Sequence, residues 1–189
     1  MKNPINIVLV GPMGAGKTSI GKAFARTISW SFYDSDQTIE ERAGADLLWI
    51  YDLEGEEGFR RREKKIIAEL VQERNIVLAT GGSTVAAAEN RAVIAQNSFV
   101  IYLRTSLDDQ LVRTGYSKKR PLSTELEARR GILKQLRQEY EPLYEELAAI
   151  IYDTDNKPAR IVVADLIKLM QKQENLSYMM VSDFKVNAR

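Results

Sequence analysis

The run GPMGAGKTS, Gly11 to Ser19, spaces two glycines, a lysine and a threonine as G-x-x-x-x-G-K-[ST]. Residues of these types at this spacing bind phosphate. Glycine lets the backbone wrap closely around an anion because no Cβ intrudes. The loop N–H groups and the start of the next helix then face the negative charge. Lys17 brings a full positive charge to the β and γ phosphates, and the Thr18 hydroxyl can ligate Mg²⁺. A chance glycine-rich turn is the competing reading. The flanking pattern decides between them, since an apolar strand precedes the run and an amphipathic segment follows it.

A second cluster is DSD, in which Asp34 and Asp36 flank Ser35. On a strand, positions i and i+2 share a face, so both carboxylates would meet one ligand. One would hold Mg²⁺ through water and the other would accept from a substrate hydroxyl. An Asx turn, or a helix cap made by Asp36, is the alternative, and the cluster alone leaves the two even. The chain has no histidine and no cysteine. Imidazole catalysis, thiolate chemistry, disulfides and zinc–sulfur sites are therefore excluded. Proton transfer falls to a carboxylate, Lys, Tyr or water.

The elements that must position these groups alternate in type. Ile5–Val10 reads as a buried central strand. A helix follows, with Ile20, Ala23, Phe24, Thr27 and Ile28 at helical spacing. SFYDSD (31–36) reads as a strand, and a helix from about Gln37 should stop at Gly44. ADLLWIYDLEG is a short helix and Glu56–Gln72 a longer one. Strands are expected at 75–80, 98–103 and 149–154, and helices near Asn90–Ala95, at Leu107 and Leu111, and over Pro158–Gln173. RTGYSKKRPLST (113–124) reads as a basic mobile loop. Glu125–Leu147 is helical, with Pro142 kinking or splitting it. This alternation implies a parallel sheet with helices on both faces.

The totals fit one ordinary domain: 189 residues, 44% hydrophobic, 28% charged and a net charge of +1. That balance argues against nucleic acid or an anionic membrane as the main partner. No apolar run is long enough to span a bilayer, and MKNPINIVLV shows no cleavable signal pattern, so the cytosol is the expected location. Among nucleotide-binding classes, a GTPase would need N-K-x-D, whereas the chain has NKPA at 156–159. A motor ATPase usually needs a longer chain. A compact kinase remains.

Six ordered segments, GPMGAGKTS, FYDSD, GEEGFRRRE, LATGGS, KKRPL and EPLYEELA, resemble the shikimate kinases from about Ile5 to Leu169. The resemblance implies an α/β fold, the three-layer α-β-α P-loop kinase type, with a five-stranded parallel sheet. It implies one domain over 1–175, with a substrate-binding subdomain at about 33–62 and a lid at about 112–124; the tail, 176–189, lies outside the resemblance, shows no clear period and reads as disordered. The implied reaction moves the γ-phosphate of ATP to the 3-hydroxyl of shikimate in aromatic amino-acid biosynthesis, with Mg²⁺ and with a monomeric enzyme. By position, Gly14, Ala15, Gly16, Lys17, Thr18 and Ser19 hold the ATP phosphates. Thr18 ligates Mg²⁺, and Asp34 supports it through water. Asp36 binds the shikimate hydroxyls as base or orienting group, Arg60 binds the carboxylate, and Gly81 and Gly82 approach the ring. Arg120 reaches over the phosphates from the lid, with Lys118 and Lys119 as helpers, and Lys157 lies against adenine.

Helical spacing places Arg61 opposite the Phe59, Ile66, Ile67, Leu70 stripe and leaves Arg60 and Arg62 on its two flanks. Only the family motif chooses Arg60. Trp30 reads as core; Trp49 reads either as core or as pocket lining. Two positions depart from the family. Ser83 replaces a third glycine, and Tyr140 replaces an arginine expected two residues before the proline of PLY. Tyrosine offers one hydrogen bond but neither charge nor a bidentate fork. Loss of such a contact costs roughly 2–5 kcal/mol. Arg137, about one turn earlier, is a candidate to compensate. Two readings follow: a working shikimate kinase with a rearranged carboxylate site, or a nucleotide-binding relative whose substrate is lost or changed. A gluconate or nucleotide kinase is the enzymatic runner-up.

Overall fold

Strands made of apolar residues on both faces must be covered on both sides. The computed structural model describes residues 6–115 and 125–172, and the strands among them lie within one sheet, with the strands buried on both faces at its centre. The strands are β1 (Asn6–Val10), β2 (Ser31–Asp34), β3 (Ile76–Ala79), β4 (Ser98–Arg104) and β5 (Ile150–Asp153), ordered β2-β3-β1-β4-β5 and all parallel. Seven α-helices accompany them among the described residues: α1 (Lys17–Ile28), α2 (Ser35–Ala43), α3 (Leu47–Leu70), α4 (Ala88–Asn97), α5 (Leu107–Gly115), α6 (Leu126–Leu147) and α7 (Ala159–Lys172). The KKRPL segment with Lys118, Lys119 and Arg120, and the tail 176–189, lie outside the described residues.

The period-2 geometry of strands divides the core into two. In β1, Ile7 and Leu9 face a cluster completed by Phe24 of α1 and Leu166 of α7. Val8 and Val10 face the other side, against Ile39 of α2, Ile67 of α3, Ile94 of α4 and Tyr144 of α6. α1, which leads from β1 to β2, and α4, which leads from β3 to β4, therefore cover opposite faces. Neighbouring strands β1 and β3 thus form a switch point, and a crevice opens at their carboxyl ends. The phosphate-binding run follows β1, and TGGS follows β3.

Four local expectations change. β2 ends at Asp34, and α2 already begins at Ser35. Asp34 is its N-cap, accepting from the N–H of Asp36 at 3.1 Å and of Gln37 at 3.2 Å. Asp34 and Asp36 are thus a cap and a first-turn residue, not two positions on one strand face. The break between the two helices expected around residue 55 is a single residue, Gly55, whose φ of 69° lies in the left-handed region. α6 runs unbroken through Pro142, which removes only the bond to the carbonyl of residue 138. Finally, α5 extends through Arg113, so the basic segment does not begin there. Trp30 packs against the core beside α1. Trp49 is 58% exposed and lines neither cavity described below. No helix among the described residues is long and apolar enough to cross a membrane.

Candidate active site

The loop after β1 closes through Ala15 N–H, which donates to Pro12 O at 3.2 Å and buries Ala15 beneath it. Gly16 caps α1, so the N–H groups of its first turn open toward the crevice. The Lys17 ammonium bends across the loop and donates to the carbonyls of Gly11 at 2.7 Å and Pro12 at 2.9 Å. Thr18 Oγ1 donates to Asp34 Oδ2 at 2.7 Å. Asp34 therefore joins two elements, since its Oδ1 caps α2. Thr18 and Asp34 together offer hydroxyl and carboxylate oxygens, the hard donors that suit Mg²⁺. No group of three or more His, Cys, Asp or Glu suited to a metal occurs among the described residues. A cation here would complete its shell with phosphate and water oxygens.

These groups line a cavity of about 500 Å³ that includes Gly14, Gly16, Lys17, Thr18, Ser19, Asp34, Asp36, Gly82 and Arg113. Asp36 packs on the TGGS turn. A Cβ on Gly81 would stand 2.6 Å from Asp36 Oδ1, so glycine is required there for the carboxylate to sit where it does. A smaller cavity of about 270 Å³ adjoins the first, sharing Met13 and Gly82 with it. Its walls include Tyr51, Arg60, Ser83, Leu133, Arg137, Tyr140 and Tyr144.

Of the three consecutive arginines on α3, only Arg60 lines this cavity. Arg61 has 70% of its side chain exposed, and Arg62 is paired with Glu54 at 2.9 and 2.5 Å. Arg60 Nη1 donates to Glu63 Oε2 at 3.0 Å, Ser83 O at 3.1 Å and Ser83 Oγ at 3.0 Å. The departure at Ser83 therefore adds an acceptor for Arg60. Burial acts to lower the Arg60 pKa, but the Glu63 carboxylate outweighs it and the net shift is upward. The guanidinium stays charged.

Tyr140 borders the same cavity from α6. Burial, with the nearby Glu139, pushes its phenol above the ordinary range. It remains a neutral donor. Arg137 is bound by Glu141, with Nε and Nη2 each at 2.9 Å from a carboxylate oxygen.

Three residues were not singled out from the sequence. Glu63 is fully buried and accepts from Thr84 Oγ1 at 2.8 Å as well as from Arg60. Its position three residues after Arg60, on the same helix face, was the available signal. Arg113 donates to Gly14 O at 3.0 Å and to Asp109 Oδ2 at 2.6 Å, which braces the phosphate loop from α5. Its i, i+4 spacing from Asp109 marks it as helical. Tyr144 donates to Gly82 O, and no local sequence signal announces that contact.

Lys157 stands apart from both cavities. Its ammonium donates to Asp153 O at 3.0 Å and lies 4.4 Å from the centre of the Tyr152 ring. The loop it belongs to is anchored by Asp155, which accepts from Thr105 Oγ1 at 2.7 Å and Ser106 N at 2.9 Å.

Comparison with known proteins agrees with this arrangement. The family described as shikimate kinase matches residues 13–171. The shikimate kinase of Legionella pneumophila strain Corby is 54% identical over 165 residues, covering 87% of this chain and 94% of the relative. That of Vibrio cholerae O395 is 47% identical over 167 residues, covering 88% and 95%. A solved structure of shikimate kinase from Acinetobacter baumannii in complex with shikimate superposes with a TM-score of 0.86 at 40% identity, covering 92% of this chain and 96% of that one. A gluconokinase from Sinorhizobium meliloti, at 18% identity and a TM-score of 0.60, shares the fold alone. The phosphate loop, the paired cavities and these likenesses agree, and the chain belongs to the shikimate kinase family of phosphotransferases.

Proposed function

We propose that the protein transfers the γ-phosphoryl group of ATP to the 3-hydroxyl of shikimate. The observation that carries this reading is the junction of two cavities. The lysine-bearing cavity of the phosphate loop and the arginine-bearing cavity behind it share Met13 and Gly82, and Asp36 packs on the adjoining Gly81. A phosphoryl donor in the first and a hydroxy-acid in the second would meet at that point. The relative from A. baumannii, 40% identical, carries shikimate in its solved structure.

In this reading the backbone of Gly14–Ser19 cradles the phosphates, and Lys17 exchanges its carbonyl partners for phosphate oxygens. Asp36 accepts the hydrogen bond of the substrate hydroxyl and takes its proton as the new O–P bond forms and the bond to the β-phosphate bridging oxygen breaks. Arg60, fixed by Glu63 and Ser83, binds the substrate carboxylate. The glycine backbone at 81 and 82 lets the ring come close. Mg²⁺ would be held by Thr18 directly and by Asp34 through water, and it supplies positive charge to the transferring group. Arg120 adds further charge from the lid, and the loop of Lys157 borders the adenine. The segment 33–62 is the substrate-binding part.

An assay of ADP release across shikimate, gluconate and nucleoside monophosphates tests the reading. Saturable turnover is expected with shikimate and background rates with the others. Normal ATP binding without turnover of shikimate would overturn it in favour of a binding module.

A further inference from the structure

We propose that Arg137, rather than Tyr140, gives the substrate carboxylate its second guanidinium, and that Glu141 orients it for this purpose. The inference rests on the shikimate reading above and adds to it a specificity-determining residue.

Arg137, Tyr140 and Tyr144 follow Leu133 along α6 at i+4, i+7 and i+11, which makes one helical stripe. All four line the cavity that holds Arg60. Arg60 and Arg137 are the two cations of that lining, and no carboxylate is part of it. Tyr140 lines the same cavity, but it offers one O–H and no charge.

The guanidinium of Arg137 is already held in a fork. Glu141 takes the edge made by Nε and Nη2, at 2.9 Å to each. A guanidinium has five N–H donors, so two occupied by Glu141 leave the Nη1 edge for a second planar acceptor. Among the described residues no partner takes Nη1. Glu141 is itself fixed, since Tyr102 Oη donates to it at 3.3 Å from β4. Arg60 on α3 is also held by glutamates of its own helix, through one contact from Nη1 to Glu63 at 3.0 Å and one from Nη2 to Glu56 at 3.4 Å rather than a fork. α3 and α6 therefore each bring one arginine to the cavity, held by a glutamate three or four residues further along its own helix. A carboxylate bound between them meets a pre-set fork at near contact, while Glu141 stays on the far edge. Fixing a long side chain beforehand removes much of the ordering cost of binding.

The test compares shikimate with its methyl ester, which keeps the ring and hydroxyls but loses the charge. Arg137→Met is expected to raise KM for shikimate by about 10- to 100-fold, to leave KM for ATP within about twofold, and to change kcat/KM for the ester little. The preference for acid over ester then falls by at least about tenfold. Arg137→Lys, which keeps charge but not the fork, should fall between Met and the native residue. This variant also preserves the test if the Met protein melts early. Tyr140→Phe should move the preference by less than about threefold. Equal losses on acid and ester in Arg137→Met would show a merely structural role and overturn the proposal. So would a collapse of preference in Tyr140→Phe. A native protein that turns over shikimate while Arg137→Met keeps its preference overturns this inference alone. A native protein inactive toward shikimate overturns the functional reading and this inference with it.

Discussion

A methyl group at position 81 would stand 2.6 Å from Asp36 Oδ1 and 3.1 Å from Thr84 Oγ1. Both neighbours are functional: one is the proposed base, and the other holds buried Glu63. Gly81→Ala must therefore displace the carboxylate, and a fall in kcat of at least about tenfold is expected with a modest change in melting temperature. Asp36→Asn keeps the size of the side chain but removes the proton acceptor, and kcat should fall by about 10²- to 10⁴-fold. Lys17→Met removes the ammonium that now rests on Gly11 O and Pro12 O, and a loss of about 10³-fold is expected. Steady-state kinetics on each variant, with thermal melts as a folding control, checks all three.

At the scale of the element, α3 carries both halves of a positioning device. Its second segment sets Glu63 beneath Arg60 and Thr84. Removing the carboxylate by Glu63→Ala leaves two donors without their buried partner. About 3 kcal/mol of stability should be lost in denaturant titration. KM for shikimate should rise by about tenfold as Arg60 loosens. The bend that aims this segment depends on Gly55, whose φ of 69° and ψ of −175° suit glycine almost alone. Gly55→Ala meets no atom within 4 Å, so its cost is conformational strain of about 1–3 kcal/mol rather than a clash.

For the whole molecule, the absence of histidine shapes the response to pH. Carboxyls of Asp153 and Glu141 are held below their ordinary range, first by hydrogen bonds from Arg104 and Arg137 respectively. Asp155 is held low too: burial pulls its pKa upward, but hydrogen bonds from Thr105 and Ser106 outweigh it. A carboxyl whose folded pKa lies below its unfolded one stabilises fully above the unfolded value, and this is lost as pH falls through the folded pKa. Tyr102 and Tyr144 are shifted the other way, chiefly by burial. Their contribution is complete below the unfolded phenol value of about 10 and is lost as pH rises beyond it. With no imidazole between these limits, the melting temperature should be flat from about pH 6 to 9 and fall on either side. A step near pH 6.5 in thermal melts would contradict this.

The phosphate loop, the β-α alternation and the parallel sheet were legible in the sequence, because each rests on residues adjacent in the chain: glycine spacing, apolar runs and helical periods. It also placed Asp36, Arg60 and the two glycines at 81 and 82 among the site residues, through motif resemblance. Helical spacing alone could not choose between Arg60 and Arg62, since the two flank the stripe equally, and only the motif chose Arg60; the fold gives Arg62 to Glu54 and sets Arg60 beside Ser83 in the smaller cavity. The sequence left both aspartates on one strand face or at a turn or helix cap with equal weight; the structure makes a cap, at Asp34 rather than Asp36, and puts Asp36 in the first turn of α2. Arg113 on Gly14 and Tyr144 on Gly82 are contacts set by how α5 and α6 dock on the sheet. Contacts between residues some 60 to 100 positions apart depend on how helices and strands pack together, and local spacing does not encode that packing.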